Sequence, residues 1–106
     1  MYIVYITIDN LDNARKLARI IIKNKLAACV NIIPQIYSVF SQEIDGEVTE
    51  TNEVILIAKT DKSLLKKLTN MVKLEHPYEC PCIMAIKITK VNKEYIKWLE
   101  TSLKLA

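Results

Sequence analysis

Seven consecutive residues, Tyr2-Ile3-Val4-Tyr5-Ile6-Thr7-Ile8, are β-branched or aromatic, and the polar pair Asp9-Asn10 stops the run. This predicts a first strand. Ala14, Leu17, Ala18 and Ile21 then recur at helical spacing, with Arg15, Lys16, Arg19 and Lys23 on the other side and Asp9 or Asn10 as the cap. Asn24 is placed to take the left-handed conformation that ends this helix. From Leu26 the extended pattern resumes through Ala28, Cys29, Val30, Ile32 and Ile33, and apolar spacing continues past Pro34 to Val39 and Phe40. The second strand is therefore expected to run to about 16 residues, far beyond the usual length of about 5 or 6. Pro34 has no N–H for the ladder, so a bend, a bulge or an edge position is expected there.

Asp45-Gly46, holding the only glycine of the chain, marks the reversal of a hairpin, and a third strand returns from about Glu47 to Lys59. Thr60 and Asp61 offer caps to a second helix with a stripe of Leu64, Leu65, Leu68, Met71 and Val72, which Pro77 ends by disfavouring helix at His76. Ile83 to Ile88 form a fourth strand, and Asn92 can cap a short last helix that buries Tyr95, Trp98, Leu99 and Leu103. The order is βαββαβ plus a helix, read as one domain over residues 1–106. With right-handed crossovers both helices fall on one face of an antiparallel four-stranded sheet, an α+β ferredoxin-like sandwich with a long β2–β3 hairpin.

A sheet covered on one side only should alternate apolar with polar residues. These strands do not: Val54-Ile55-Leu56-Ile57-Ala58 is apolar throughout, as is Ile83 to Ile86. Each such side chain gains about 1.5–3 kcal/mol on burial, so the second face needs a cover. A homo-oligomer packed through that face is expected; the competing arrangement is a last helix that folds over it alone.

Charge narrows the function classes only slightly. Fifteen Lys and Arg against 12 Asp and Glu leave a net +3. Glu43, Asp45, Glu47, Glu50 and Glu53 break up any basic face, which argues against nucleic acid. No apolar run approaches the roughly 18 residues of a membrane span. The N-terminus reads as structure and not as a leader, so a cytoplasmic location with reduced thiols is expected for Cys29, Cys80 and Cys82.

The densest chemistry lies in Glu75-His76-Pro77-Tyr78-Glu79-Cys80-Pro81-Cys82. In extended chain Cys80 and Cys82 point to one side with Cα atoms about 6.6 Å apart, a span that suits two sulfurs on one soft ion. Copper(I) or zinc fits that ligand set. The same parity aligns both with Met84, Ile86 and Ile88, which makes packing on a core face the competing reading. His76 reads as a metal ligand, an acid/base group or a polar helix end, and Glu75 and Glu79 are spaced to cap or to support it. Cys29 reads as packing. A cysteine nucleophile would need a base in reach, which spacing alone does not supply. The glycine-aromatic pattern of RNA-recognition domains and the glycine-rich cradle of phosphatases are both missing.

The stretches Leu26-Ala27-Ala28-Cys29-Val30-Asn31-Ile32-Ile33-Pro34 and His76-Pro77-Tyr78-Glu79-Cys80-Pro81, with Ala14 to Arg19, Lys59-Thr60 and Tyr95 to Leu99, resemble the CutA family of divalent-cation tolerance proteins over essentially the whole chain. The resemblance implies a stable homotrimer of PII-like architecture, a role in the response to divalent metals, and no enzymatic activity. Combined with the residues above, it makes His76, Cys80 and Cys82 the candidate ligands, with Tyr78 and Glu79 supporting them. Copper or zinc is then the candidate ion, and neither is required for folding. A PII-like scaffold binding a metabolite or protein partner in intersubunit clefts is the alternative. Three departures stand out: Ser41 and Gln42 replace the tryptophans usual near the hairpin tip, Cys82 replaces a usual glutamate, and Ile6 stands where some members carry cysteine.

Overall fold

The computed structural model describes residues 1–42 and 46–105. Its elements are β1 (Tyr2–Ile8), α1 (Leu11–Lys23), β2 (Cys29–Ser41), β3 (Val48–Thr60), α2 (Leu65–Glu75, led by a 3-10 turn at Lys62–Leu64), β4 (Ile83–Lys87) and α3 (Lys93–Ser102). The strands form one antiparallel sheet in the order β2-β3-β1-β4, the ferredoxin-like arrangement. Among the described residues no helix is long and apolar enough to cross a membrane.

Burial sorts the two faces that the sequence pattern left undivided. Val4, Ile6 and Ile8 of β1 and Val54, Leu56 and Ala58 of β3 are buried, and they share one core with Ala14, Leu17 and Ile21 of α1 and Leu68 and Val72 of α2. The intervening Ile3, Tyr5 and Thr7, and Ile55, Ile57 and Lys59, lie on the opposite face and are half-buried. On that face the Lys59 ammonium sits 5.4 Å from the Tyr95 ring centroid. The contact sets α3 against the Lys59 end of the sheet, where Leu99 and Leu103 are buried outside the main core. The last helix thus covers one end of the second face only. Ile33, Met84 and Ile86 remain 41, 49 and 47% exposed. Trp98, expected to be buried, is also exposed, and Tyr95 is half-buried.

The element ends differ from expectation in ways that hydrogen bonds explain. Asn10 caps α1, its side chain accepting from the Asn13 N–H at 2.8 Å. At the other end the left-handed residue is Lys25, with φ 58°, while Asn24 keeps φ −89°. The Leu26 N–H donates to Ile21 O and the Lys25 N–H to Ile22 O, the paired bonds of a Schellman turn, which set the left-handed residue one place later. Leu26 and Ala27 are buried but belong to this turn, so β2 begins at Cys29 and has 13 residues. Asn92 has extended backbone but makes no side-chain cap; its amide donates to Glu94 at 3.3 Å instead. Asp61 caps the 3-10 turn, accepting from the Ser63 N–H and hydroxyl, and those bonds lower its carboxyl pKa.

Pro34 does what its missing N–H requires. The β2–β3 register runs Ile33 opposite Ile55 and then Ile36 opposite Glu53, so Pro34 and Gln35 together face Val54 in a bulge on the edge strand. The expected Asp45-Gly46 reversal falls on Asp45, which lies outside the described residues. Gly46 itself has φ 70°, where a side chain would be strained. β4 ends at Lys87 rather than Ile88, although the Ile88 N–H still reaches Met1 O at 3.0 Å.

Two substitutions should move stability in opposite directions. Lys25→Gly removes a left-handed side chain and should raise the denaturation midpoint, by up to about 1 kcal/mol in stability. Thr60 is fully buried and its hydroxyl donates to Leu26 O at 2.6 Å. Thr60→Val strands that carbonyl and should cost about 1–3 kcal/mol. Urea denaturation of both variants beside the parent checks the pair.

Candidate functional site

The loop between α2 and β4 carries all five candidate residues, and its first residue fixes the rest. His76 ends α2 with its N–H bonded to Val72 O and its backbone extended at ψ 138°, as the following proline requires. Its ring is buried, 8% exposed, and both ring nitrogens are engaged. Nδ1 accepts from the Tyr78 N–H at 3.0 Å, so the ring proton sits on Nε2, which donates to Thr7 O at 2.7 Å. The imidazole therefore has no lone pair left for a metal. Of the readings open in the sequence, this places His76 as the polar residue that joins the end of α2 to the end of β1.

Tyr78 extends the network. Its ring packs edge-on against His76 with centroids 4.7 Å apart, and its hydroxyl donates to Glu53 Oε2 at 2.8 Å. The register that sets Ile8 opposite Val54 brings Asp9 beside Glu53, so the phenol faces two carboxylates. Burial, then the bond to Glu53 and the negative charge of both carboxylates, raises the Tyr78 pKa well above its ordinary value. Thr7 O–His76–Tyr78–Glu53 is thus one continuous relay across the end of the sheet. Glu53 and Thr7 had no signal in the sequence: they come from strands 23 or more residues away from the loop, and only the register brings them in.

The thiols stand just beyond this relay. Cys29, Cys80 and Cys82 are all free; Cys80 is exposed and Cys82 half-buried. Pairing of Ile6 with Ile83 brings Cys82 next to Thr7, on the face shared with Met84 and Ile86. That face is the incompletely covered one and not the core; Cys80, at a bend outside β4, lies beyond the register, so the alignment with Met84 and Ile86 is followed for Cys82 alone. Glu75 and Glu79 are exposed. Among the described residues no three His, Cys, Asp or Glu side chains are gathered to hold an ion, so His76, Cys80 and Cys82 do not converge as a set. A small cleft of about 200 Å³, lined by Ile8, Asn13, Lys16, Leu17, Glu75 and Pro77, adjoins the loop.

A ferredoxin-like fold with an overlong hairpin, an open apolar face and a histidine-proline-tyrosine loop at one sheet end defines a class of small α+β proteins. The model of the CutA1 divalent ion tolerance protein family matches residues 2–102, and the chain belongs to that family. It is 40% identical to the divalent-cation tolerance protein CutA of Thermus thermophilus over 92% of each chain. It is 44% identical to the chloroplastic protein CutA of Arabidopsis thaliana over 94% of its own length, and spans about half (54%) of that relative. The solved structure of the periplasmic divalent cation tolerance protein CutA from Archaeoglobus fulgidus superposes with a TM-score of 0.91 at 36% identity, covering 97% of this chain and 99% of that one. The expected cytoplasmic location is corrected by two of these: the Arabidopsis relative is described as chloroplastic and the Archaeoglobus one as periplasmic. The apolar N-terminus that was read as structure is indeed β1, but a strand carries no address.

Two measurements test the relay. His76→Ala leaves Thr7 O and the Tyr78 N–H unpaired and should cost about 1–3 kcal/mol for each, seen as a lower denaturation midpoint. The raised Tyr78 pKa means that folding favours the neutral phenol. That stabilisation is complete below the ordinary tyrosine value of 10.0 and is lost as pH rises through the higher folded value. Stability should therefore fall on the alkaline side of pH 10 and fall less in Tyr78→Phe, read by thermal melts across that range.

Proposed function

We propose that the protein works as a homotrimer in the tolerance of divalent metal ions, binding metal rather than catalysing a reaction. The match to the divalent ion tolerance family over residues 2–102 is the observation that carries this reading. The uncovered Ile33, Met84 and Ile86 support the assembly, because copies packed through that face would bury what α3 leaves open. PII-like architecture follows from the same packing. Copper and zinc are the candidate ions, and of the candidate set His76, Cys80 and Cys82 only the two cysteines stand as ligands, with Tyr78 and Glu79 beside them. Within that set the work divides: His76 and Tyr78 hold the loop in place, and the two sulfurs are the donors with free lone pairs.

Sedimentation should give a mass three times the 12.2 kDa of the chain, and Ile86→Asp should shift it toward the single subunit. A folded wild-type monomer at all concentrations would remove the trimer. Cells lacking their own copy should regain growth in raised copper or zinc when given this gene. Equal growth with and without it would remove the tolerance role.

A further inference from the structure

We propose that the cleft where β1, α1 and α2 meet binds a small zwitterion, a free α-amino acid with an apolar side chain. The inference is independent of the metal reading above, and a single chain supplies every residue of the site.

The topology makes this corner. α1 starts where β1 ends, and α2 ends beside the same point because His76 Nε2 donates to Thr7 O. Ile8 and Leu17, only 1 and 2% exposed, form an apolar floor to which Ile20 and Pro77 add. Asn13, Lys16 and Glu75 supply the polar rim. The cleft of about 200 Å³ equals about six or seven waters at their liquid volume, well below the roughly 300 Å³ at which drug-sized pockets begin. Its ligand is therefore small.

Charge selects the ligand's class. Lys16 and Glu75 have opposite signs and line one space, yet among the described residues neither forms an ion pair or a side-chain hydrogen bond with the other or with any third group. An anion drawn to Lys16 would be opposed by Glu75, and a cation drawn to Glu75 would be opposed by Lys16. A molecule carrying both signs satisfies both, its carboxylate on the Lys16 ammonium and its ammonium on the Glu75 carboxylate. The Asn13 amide nitrogen donates to Asp9 at 2.9 Å, which leaves the amide oxygen as a further acceptor for the ammonium. The helix ends act in the same sense: Glu75 closes α2, at the negative end of its dipole, and Asn13 and Lys16 lie in the first two turns of α1, at the positive end. An apolar side chain then has the floor to cover.

The walls are held before any ligand arrives. Asn10 caps the start of α1, and His76 fixes the segment from Glu75 to Pro77 through both ring nitrogens, so little backbone order is left to be acquired on binding.

The test titrates the full chain with L-leucine and L-valine by calorimetry and by amide NMR shifts. One molecule per chain is expected. Leucinamide lacks the carboxylate and N-acetylleucine the ammonium, and each should bind at least about tenfold more weakly than leucine. Glycine, with both charges but nothing to lay on the floor, should also bind more weakly. Lys16→Gln and Glu75→Gln should each weaken leucine binding at least about tenfold, while Lys23→Gln, on α1 but outside the cleft, should leave it unchanged. All three side chains are exposed, and matching circular dichroism separates a lost contact from a lost fold. Absence of leucine and valine binding by both methods overturns the site, as does leucine held undiminished by the Lys16→Gln, Glu75→Gln double variant. Leucinamide or N-acetylleucine bound as tightly as leucine overturns the zwitterion, and glycine bound as tightly overturns the apolar side chain.

Discussion

A sheet that is apolar on both faces has to be covered twice, and this chain carries enough helix to cover it once and a fraction. α1 and α2 seal the face bearing Val4, Ile6, Leu56 and Ala58 so completely that each of those residues is essentially inaccessible. The face bearing Ile3, Tyr5, Ile55 and Ile57 receives α3 at one end only. Most other features follow from that imbalance. Ile33, Met84 and Ile86 are left exposed on that face, and Cys82 borders it at the start of β4.

The relay through His76 shows how a residue type suggestive of metal binding can be recruited for architecture. An imidazole offers one donor and one acceptor on opposite sides of a rigid ring, which suits a junction where a helix must stop and two strands must be kept in step. Here it ties the last turn of α2 to the end of β1 and orients Tyr78 toward Glu53. A proline directly after it ensures the turn, and the loop that follows inherits a fixed starting point. Burial, then the bond to Glu53 and the charges of Glu53 and Asp9, keep the phenol protonated.

Local structure was largely legible in the residues because its causes are local. The β-branched run of Tyr2 to Ile8, the helical spacing of Ala14 to Ile21, the stop at Pro77 and the irregularity at Pro34 each depend on neighbours in sequence. Misplacements arose where two local solutions compete. Asn24 is the better left-handed residue, yet the Schellman bonds put Lys25 there; Asn92 is a good cap, yet its amide turns to Glu94. What sequence could not supply was register. Whether Cys80 and Cys82 face a core or an open surface, and which strands approach His76 and Tyr78, depend on the β1–β4 and β1–β3 pairings. Location was not legible either, since a strand-forming N-terminus is compatible with relatives in different compartments.

The bulge at Pro34 and Gln35 has a geometric consequence for the arm beyond it. Side chains alternate along a strand, so two residues set against one invert the alternation: Cys29, Asn31 and Ile33 share the Ile57 side, but past the bulge it is Ile36 and Ser38 that do. The body of the sheet and its projecting arm are thereby phased independently, like two gears joined by a slipped tooth. Changes of length or composition toward the tip, such as Ser41 and Gln42, leave the packed half of the strand undisturbed. A deletion at position 35 would remove the bulge and leave Ile36 opposite Glu53, so the arm would keep its facing while the strand lost its bend.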